Sequence, residues 1–448
     1  MKILLVRPPR IKQAITLSNF MFSEPLGLEM IYGVYKESNQ VEIFDMMIEE
    51  ESLTLKIKEY KPEYVGVTSL CIDVTKVIEL CREVKLFNRN IVTFVGGTQA
   101  YLSPESFFSE YIDGVFNYTN KKNLVEFMNN EVNIAGVYQK KNDFKENFKK
   151  IRNEYILPDR ESTKKYREHY SYFGYKPAAI MEFGLGCEKA CSFCLRWRIE
   201  GHKEVLIDES LTRMDLLSIK EDTIMFIDND FLGSREKIIK FLEIVKDIRI
   251  EKNYIIYGSV SGVLENEDLL RKLKEIGLKA ILIGYETFSD EELKIYNKNV
   301  TVKDNLRAAE VLKNLKLDVW ASFMAHPDWD KNDFKKFRRY IKSLNPEIAS
   351  INPLTPFPDL PIYEEYKDRL LFPKDDYEKW SFGQLVVKPS KISLRMYYFQ
   401  LLLTYFYLNL AINKNTEMIK KYGVKNIFRI IRGTFQGFTK YLKLIVNN

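Results

Sequence analysis

The chain is poor in the side chains from which most metal and acid–base sites are built. Only three of its 448 residues are histidine (His169, His202 and His326), and none lies in residues 1–168. An imidazole ligand or base from the first third of the chain is therefore excluded. Five cysteines are present and none follows Cys194. This count rules out a disulfide scaffold and points to a reducing compartment. It also rules out a second cluster held by four thiolates and a cysteine hydrogen donor from the C-terminal half. No apolar run reaches the ~18–20 residues that a membrane span requires; the longest extends from Phe399 to Ile412. The apolar stretch within Met1–Arg10 is too short for a signal peptide, so a cytoplasmic protein is expected. Hydrophobic residues make up 46% of the chain, enough for the cores of two domains and a shorter third part.

What is present centres on three thiols. Cys187, Cys191 and Cys194 stand in Gly-Leu-Gly-Cys-Glu-Lys-Ala-Cys-Ser-Phe-Cys. Four thiolates would make a closed zinc site or a complete iron–sulfur ligand set. Three, in so short a span, leave one iron of a cubane open to a further ligand. The alternative is a zinc knuckle, for which His202 is the nearest fourth ligand. The CX3CX2C spacing, Phe193 ahead of the third cysteine and the apolar strand before the loop resemble the radical S-adenosylmethionine (SAM) enzymes. The resemblance implies a 4Fe–4S cluster whose open iron chelates the amino and carboxylate groups of SAM. It further implies an electron from an external donor of the flavodoxin or ferredoxin type, and cleavage of SAM to methionine and a 5′-deoxyadenosyl radical. That radical abstracts hydrogen from an unactivated carbon. A non-catalytic zinc-binding interaction protein remains the competing reading.

Residues 1–135 alternate short β-rich runs with amphipathic stretches. The runs are Ile3–Val6, Val41–Phe44, Tyr64–Thr68, Ile91–Val95 and Gly114–Tyr118, with helical periodicity over Leu28–Tyr35 and Val74–Lys85. This rhythm predicts a Rossmann-like parallel sheet covered on both faces, with ligands at the carboxyl ends of its strands. Three turns fall at those ends: Arg7-Pro8-Pro9, Ser69-Leu70-Cys71 and Gly96-Gly97-Thr98-Gln99. Gly96 and Gly97 lack a Cβ and let the backbone approach a bulky ligand, though such a turn reads equally well as purely structural. Pro25-Leu26-Gly27-Leu28, Val95-Gly96-Gly97-Thr98 and Leu102-Ser103-Pro104-Glu105 resemble the cobalamin-binding domain that precedes many radical SAM enzymes. Ser69, Gly96, Gly97 and Thr98 are then candidate cobalamin contacts, and methylcobalamin could deliver a methyl group to the substrate radical. The chain departs from the wider cobalamin pattern in having no Asp-x-His-x-x-Gly. Any bound cobalamin would lack a histidine ligand from this domain. Radical rearrangement, cyclisation or oxidation without cobalamin is the alternative. Cys71 and Cys81 are read as packing residues at helical positions.

Residues 136–176 read as a Lys-, Asn- and Glu-rich linker, in which Leu157-Pro158-Asp159-Arg160 resembles the segment threading the first domain to the second. From residue 177 to about 370, strands are expected at Ala178–Phe183, Thr223–Ile227, Ile255–Ser259, Ala280–Tyr285, Asp318–Met324 and Ile348–Asn352. Six strand–helix units suit a partial (β/α)6 barrel, whose chemistry gathers at the strands' carboxyl ends. Candidate SAM contacts there are Asp228, Asn229 and Asp230, Ser259, and Glu286 for the ribose hydroxyls. The Asp-rich turn reads equally well as a helix N-cap. Ser259 and Ser261 stand where relatives place an arginine, which leaves the SAM carboxylate contact open. His326 is either an acid–base group or a satisfied structural residue. Asn352 to Phe357 and Pro358 form a stiff closing loop.

Residues 371–448 read as a helical C-terminal region. Its aromatic helix Met396–Leu410 carries Tyr397, Tyr398 and Tyr405, either core or pocket-lining. From Ala411 to Asn448 eight basic residues face a single acid, Glu417, a net +7 against +6 for the whole chain. The stretch Ile427–Ile445 reads as a basic amphipathic helix, suited either to docking on the barrel with its basic face in water or to a membrane surface, a lipid substrate or an acidic peptide. No nucleic-acid module is evident. Lipid, peptide and small metabolite all remain as substrates.

Overall fold

The computed structural model describes residues 1–9, 21–145, 151–172, 174–413 and 438–446. The first sheet is built from β1 (Lys2–Arg7), β2 (Gln40–Asp45), β3 (Tyr64–Thr68), β4 (Val92–Gly96), β5 (Gly114–Phe116) and β6 (Val137–Gln139), in the order β2–β1–β3–β4–β5–β6. The first five strands run parallel; β6 pairs antiparallel on the edge. Parallel strands covered on both faces are apolar throughout, and Ile3, Leu4, Leu5 and Val6 of β1 are fully buried. The order doubles back at β1 and β3, and the crevice beyond their carboxyl ends is where such sheets bind ligands.

The second sheet holds β7 (Ala178–Met181), β8 (Thr223–Phe226), β9 (Asn253–Gly258), β10 (Leu278–Glu286), β11 (Asp318–Ala325) and β12 (Ile348–Pro353). All six run parallel in strict chain order and the sheet does not close. An open, curved row of this kind is a partial barrel. Its helices bury apolar stripes against the outer face. In Arg235–Ile248, Ile238, Phe241, Ile244 and Val245 meet Phe183, Phe226 and Phe231.

The segment read from sequence as a linker is more ordered than its composition indicates. Its start supplies the edge strand β6, and Arg160–His169 forms 3-10 turns capped by Asp159. The ordering comes from charge rather than apolar periodicity. The buried Arg160 guanidinium meets Glu24 at 2.7 Å, Glu29 at 3.3 Å and Asp215 at 2.8 Å. Glu24 and Glu29 flank the start of the helix Leu26–Tyr35 and Asp215 lies on Glu209–Ser218, so one cation clasps both domains.

The aromatic helix spans Leu394–Tyr407 and continues into a wider turn, Leu408–Ile412. Tyr397, Tyr398 and Tyr405 are core residues, not cavity liners. Tyr397 Oη donates to the Ala325 carbonyl at 2.9 Å and Tyr405 Oη to that of Ile351 at 2.6 Å. The expected basic helix over Ile427–Ile445 lies mostly outside the described residues; residues 438–446 are helical.

Candidate active site

A cavity of about 1270 Å³ lies where the carboxyl ends of both sheets face each other. Arg7, Pro8 and Pro9 after β1, Ser69 and Leu70 after β3, and Thr98 and Gln99 after β4 line it from the first domain, with Gly27 from the first helix. Cys187, Cys191 and Cys194 line it from the barrel, as do Phe193, Asn229, Asp230, Ser259 and Glu286.

The cysteine loop is held rigidly by its surroundings. Beyond β7, the Asp228 carboxylate accepts from the Phe183 and Gly184 amides at 2.9 and 2.8 Å and pairs with the buried Lys237 at 2.7 Å. Gly186, at φ +96°, has no room for a Cβ, which would stand 2.4 Å from the Lys203 carbonyl oxygen. Further along, Trp197 Nε1 donates to the Cys191 carbonyl at 2.9 Å. Asn297 Nδ2 donates to the Ala190 carbonyl and Ser192 Oγ to that of Ile295, both at 2.9 Å. Phe193 packs edge-on against Tyr296, with centroids 5.5 Å apart. Burial raises all three thiols above their ordinary range, and Lys298 opposes this at Cys191.

Charges ring the thiols. Lys189, between the first two cysteines, reaches Asp230 at 2.8 Å and Ser261 at 2.6 Å, and also bonds Ser259. A lysine from the cysteine loop thus stands at the serine pair where an arginine was looked for. Glu286 has a left-handed backbone (φ +60°) at the irregular end of β10, and pairs with Lys298 at 3.0 Å. A Cβ on Gly284 would fall 2.0 Å from Glu286 Oε1, so glycine is what leaves this carboxylate its place. Burial works to lower the Lys298 ammonium, but Glu286 and Cys191 outweigh it and raise it. Arg196 bonds Asn229 and pairs with Glu200 at 2.8 Å. Lys189 and Arg196 could have been flagged from sequence by their places in and beside the triplet. Nothing in Lys294–Val300 marks Lys298 in advance.

Three residues nominated from sequence do not line the cavity. Asp228 is buried beneath the cysteine loop, which it orders. Gly96 accepts a hydrogen bond from Ser69 Oγ at 2.8 Å, and a Cβ on Gly97 would stand 2.7 Å from the Ser69 backbone. The glycine pair therefore packs two loops together and leaves the cavity wall to Ser69 and Thr98. Cys71, read as packing, does line the cavity, while Cys81 is buried in the core; burial pushes both thiols up to about 12. His326 is satisfied structurally: its Nδ1 accepts the Asp328 amide at 3.1 Å and its Nε2 meets Tyr366 Oη at 2.9 Å. His202 packs against Trp197 with its ring tilted and His169 is exposed, so no histidine lines the cavity.

A parallel sheet joined through its ligand-binding edge to an open six-stranded barrel with a three-thiol loop is the architecture of radical SAM proteins that carry a B12 domain. The B12 binding domain family matches residues 15–121 and the radical SAM superfamily residues 181–341. In both parts the chain is similar to the cobalamin-dependent radical SAM enzymes. It is 25% identical over 402 residues to the hopanoid C-3 methylase of Methylococcus capsulatus, covering 86% of this chain and 76% of that protein. It is 26% identical to the anaerobic magnesium-protoporphyrin IX monomethyl ester cyclase of Rubrivivax gelatinosus, over 80% of this chain and 68% of that one. Among solved structures it shares its fold with the cobalamin-dependent SAM radical enzyme OxsB bound to aqua-cobalamin. There the TM-score is 0.69 at 15% identity, over 99% of this chain and 80% of that one.

The cofactors of the family are a 4Fe–4S cluster, SAM and cobalamin, and the residues present fit them. Among the described residues no group of three or more His, Cys, Asp or Glu is placed to hold a single metal ion. A cubane takes each thiolate on a separate iron, so three cavity-facing thiols need not converge as zinc ligands do. On the opposite wall a Cβ at Gly27 would meet nothing within 4 Å, which leaves open room beside the β1 and β3 loops. With no histidine in the cavity wall, a corrinoid there receives no protein imidazole.

Proposed function

We propose that this protein methylates an unactivated carbon of an apolar substrate. The observation that carries the reading is that one cavity is bounded both by the three cysteines and by the ligand-binding edge of the B12 domain. When bound, the cluster with SAM supplies a 5′-deoxyadenosyl radical, and cobalamin supplies the methyl group. Cys187, Cys191 and Cys194 hold the cluster. Lys189 and Asp230 present paired opposite charges suited to the carboxylate and amino group of SAM. Glu286, steadied by Lys298, accepts hydrogen bonds from the ribose hydroxyls, and Ser259 completes that side. Ser69 and Thr98, with the room beside Gly27, accommodate the corrinoid. Phe357 packs against Trp380 and Phe382, with centroids 6.0 and 5.6 Å apart. This aromatic wall favours a carbon skeleton over a charged substrate on its side of the cavity. Methyl transfer to carbon is also what the name of the hopanoid C-3 methylase describes for that relative. The electron comes from an external flavodoxin- or ferredoxin-type donor.

The test is anaerobic reconstitution with iron, sulfide and hydroxocobalamin, followed by SAM and dithionite. Expected are 5′-deoxyadenosine and a tightly retained corrinoid. Deoxyadenosine without corrinoid would retire methyl transfer in favour of other radical chemistry, such as a cyclisation. Zinc without sulfide and no SAM cleavage would overturn the enzyme reading.

A further inference from the structure

No helix among the described residues is long and apolar enough to cross a membrane, yet the C-terminal region exposes an apolar stripe. The helix Leu394–Tyr407 turns Tyr397, Tyr398, Leu401 and Leu402 into the core and leaves Phe399, Leu403 and Phe406 about two-fifths exposed. Steps of four and three residues keep these three on one face, and Leu410, 82% exposed, follows in the next turn. Residues 438–446 lie against the same helix. Tyr441 stacks on Tyr405 at 5.3 Å and Phe438 meets Phe406 at 5.2 Å. This second helix adds exposed Leu442 and Val446 beside the stripe.

The segment that carries the stripe is itself charged with one sign, though Lys391 pairs with Asp333 of the helix Lys331–Leu344 at 3.7 Å. Among the described residues from 388 onward stand Lys388, Lys391, Arg395, Lys440 and Lys443, and no acid. Over the whole of residues 388–448 the sequence holds eleven Lys and Arg and one Glu, a net +10. With +6 for the entire chain, residues 1–387 carry a net −4. An apolar face on a segment of net positive charge matches the two attractions that hold peripheral proteins to anionic lipid: burial of apolar side chains at the headgroup boundary and Coulomb attraction to the headgroups. The face also adjoins the cavity. Tyr441 Oη donates to the Gly383 carbonyl at 3.2 Å, and neighbouring Phe382 lines the cavity while 60% exposed.

We propose that this face docks on the surface of an anionic lipid bilayer, with the cavity opening at Phe382 beside it. The proposal goes beyond methyl transfer and does not depend on it. The experiment is sedimentation of the full-length protein with phosphatidylglycerol–phosphatidylcholine vesicles and, separately, with phosphatidylcholine vesicles alone. Expected are binding to the anionic vesicles, weakening as salt is raised, and at least about a ten-fold loss of partitioning in Leu403→Asp/Phe406→Asp. Leu410→Asp, at the most exposed position, gives the same direction if the double variant does not fold. Absence of binding to anionic vesicles at low salt overturns the proposal, as does binding that both variants leave unchanged. So does a concentration-dependent dimer that both variants abolish without any vesicle binding, because a second copy then covers the stripe. SAM cleavage and corrinoid retention are read without vesicles, so failure here leaves the methylation reading standing.

Discussion

The two walls of the cavity work by different means. The barrel side is dense in charge: Lys189 with Asp230, Glu286 with Lys298, Arg196 with Asn229 and Glu200, all within reach of three thiols. The B12-domain side carries Arg7, Asp73 and Glu105 at its margin but offers mainly shape, through prolines, the small residues Ser69 and Thr98, and the room at Gly27. Small charged ligands need paired charges in fixed places, because a buried charge without a partner is costly. A large macrocycle needs a wide, smooth bed that many weak contacts fill. Substitutions on the barrel side should therefore act abruptly, and those on the domain side by degrees.

The largest break is at the thiols. Replacing any one of Cys187, Cys191 or Cys194 by Ala leaves too few ligands for the cluster. Iron and sulfide should fall to background in the reconstituted protein, and 5′-deoxyadenosine formation with them. Corrinoid retention should survive, since it rests on the other wall. Full iron content in a single Cys→Ala protein would show that these thiols are not the ligands.

Next comes the clasp between the walls. Arg160→Leu strips the cation from the buried Asp215 and leaves Glu24 and Glu29 to Arg167 alone. Breaking a buried ion network from one side costs about 3–5 kcal/mol, to be read as a fall in the denaturant midpoint. A midpoint within error of the parent would mean that Arg167, which pairs with Glu24, Glu29 and Glu221, and the apolar contacts hold the two domains without Arg160.

His326 separates structure from chemistry on the barrel side. Burial lowers its imidazole to about 4 in the folded protein, against about 6.5 unfolded. The unfolded chain thus binds a proton that the native state refuses. This contribution to stability is complete above about pH 6.5 and declines as the pH falls toward 4, by about 3 kcal/mol in all. Denaturant midpoints at pH 7 and pH 4.5 should fall further in the parent than in His326→Gln. Equal falls would remove His326 from the account.

How much of this was legible in the sequence follows the same division. Every barrel strand was visible, to within about three residues at its ends, because buried parallel strands are continuous apolar runs such as Ile281 to Ile283. The thiols announced themselves by spacing. Lys298 did not, because a long side chain reaching Glu286 across a bend leaves no local pattern. Asp228 was placed in the site when it lies under it, since an acid in a turn gives no sign of which way its carboxylate faces. Gly96 and Gly97 were read as a ligand cradle because glycine marks close approach without saying to what; here the neighbour is the Ser69 backbone. The ordered linker was missed because Arg160 works through partners far away in sequence.

On the SAM side, Glu286→Gln keeps the shape but removes the charge that balances Lys298. The variant should bind SAM about ten-fold more weakly, the scale of one charge-assisted hydrogen bond. Equilibrium dialysis of the cluster-loaded protein measures this, and unchanged affinity would place the ribose elsewhere.

The smallest expected effect sharpens the comparison most. Gly27 lies within the helix Leu26–Tyr35, where glycine costs ~0.5–1 kcal/mol relative to alanine. Beyond its chain neighbours and its own helix backbone, no protein atom lies within 4 Å of where a Cβ would be, so nothing in the fold demands glycine. Gly27→Ala should therefore raise the melting temperature of the cofactor-free protein slightly. The new methyl group points into the cavity, where it trims the bed on the B12-domain side. Corrinoid retained after gel filtration should fall by a few-fold while 5′-deoxyadenosine formation holds. A gain in stability with no loss of corrinoid would mean that the macrocycle does not lie against this helix, and the shape argument for this wall would then rest on Ser69 and Thr98 alone.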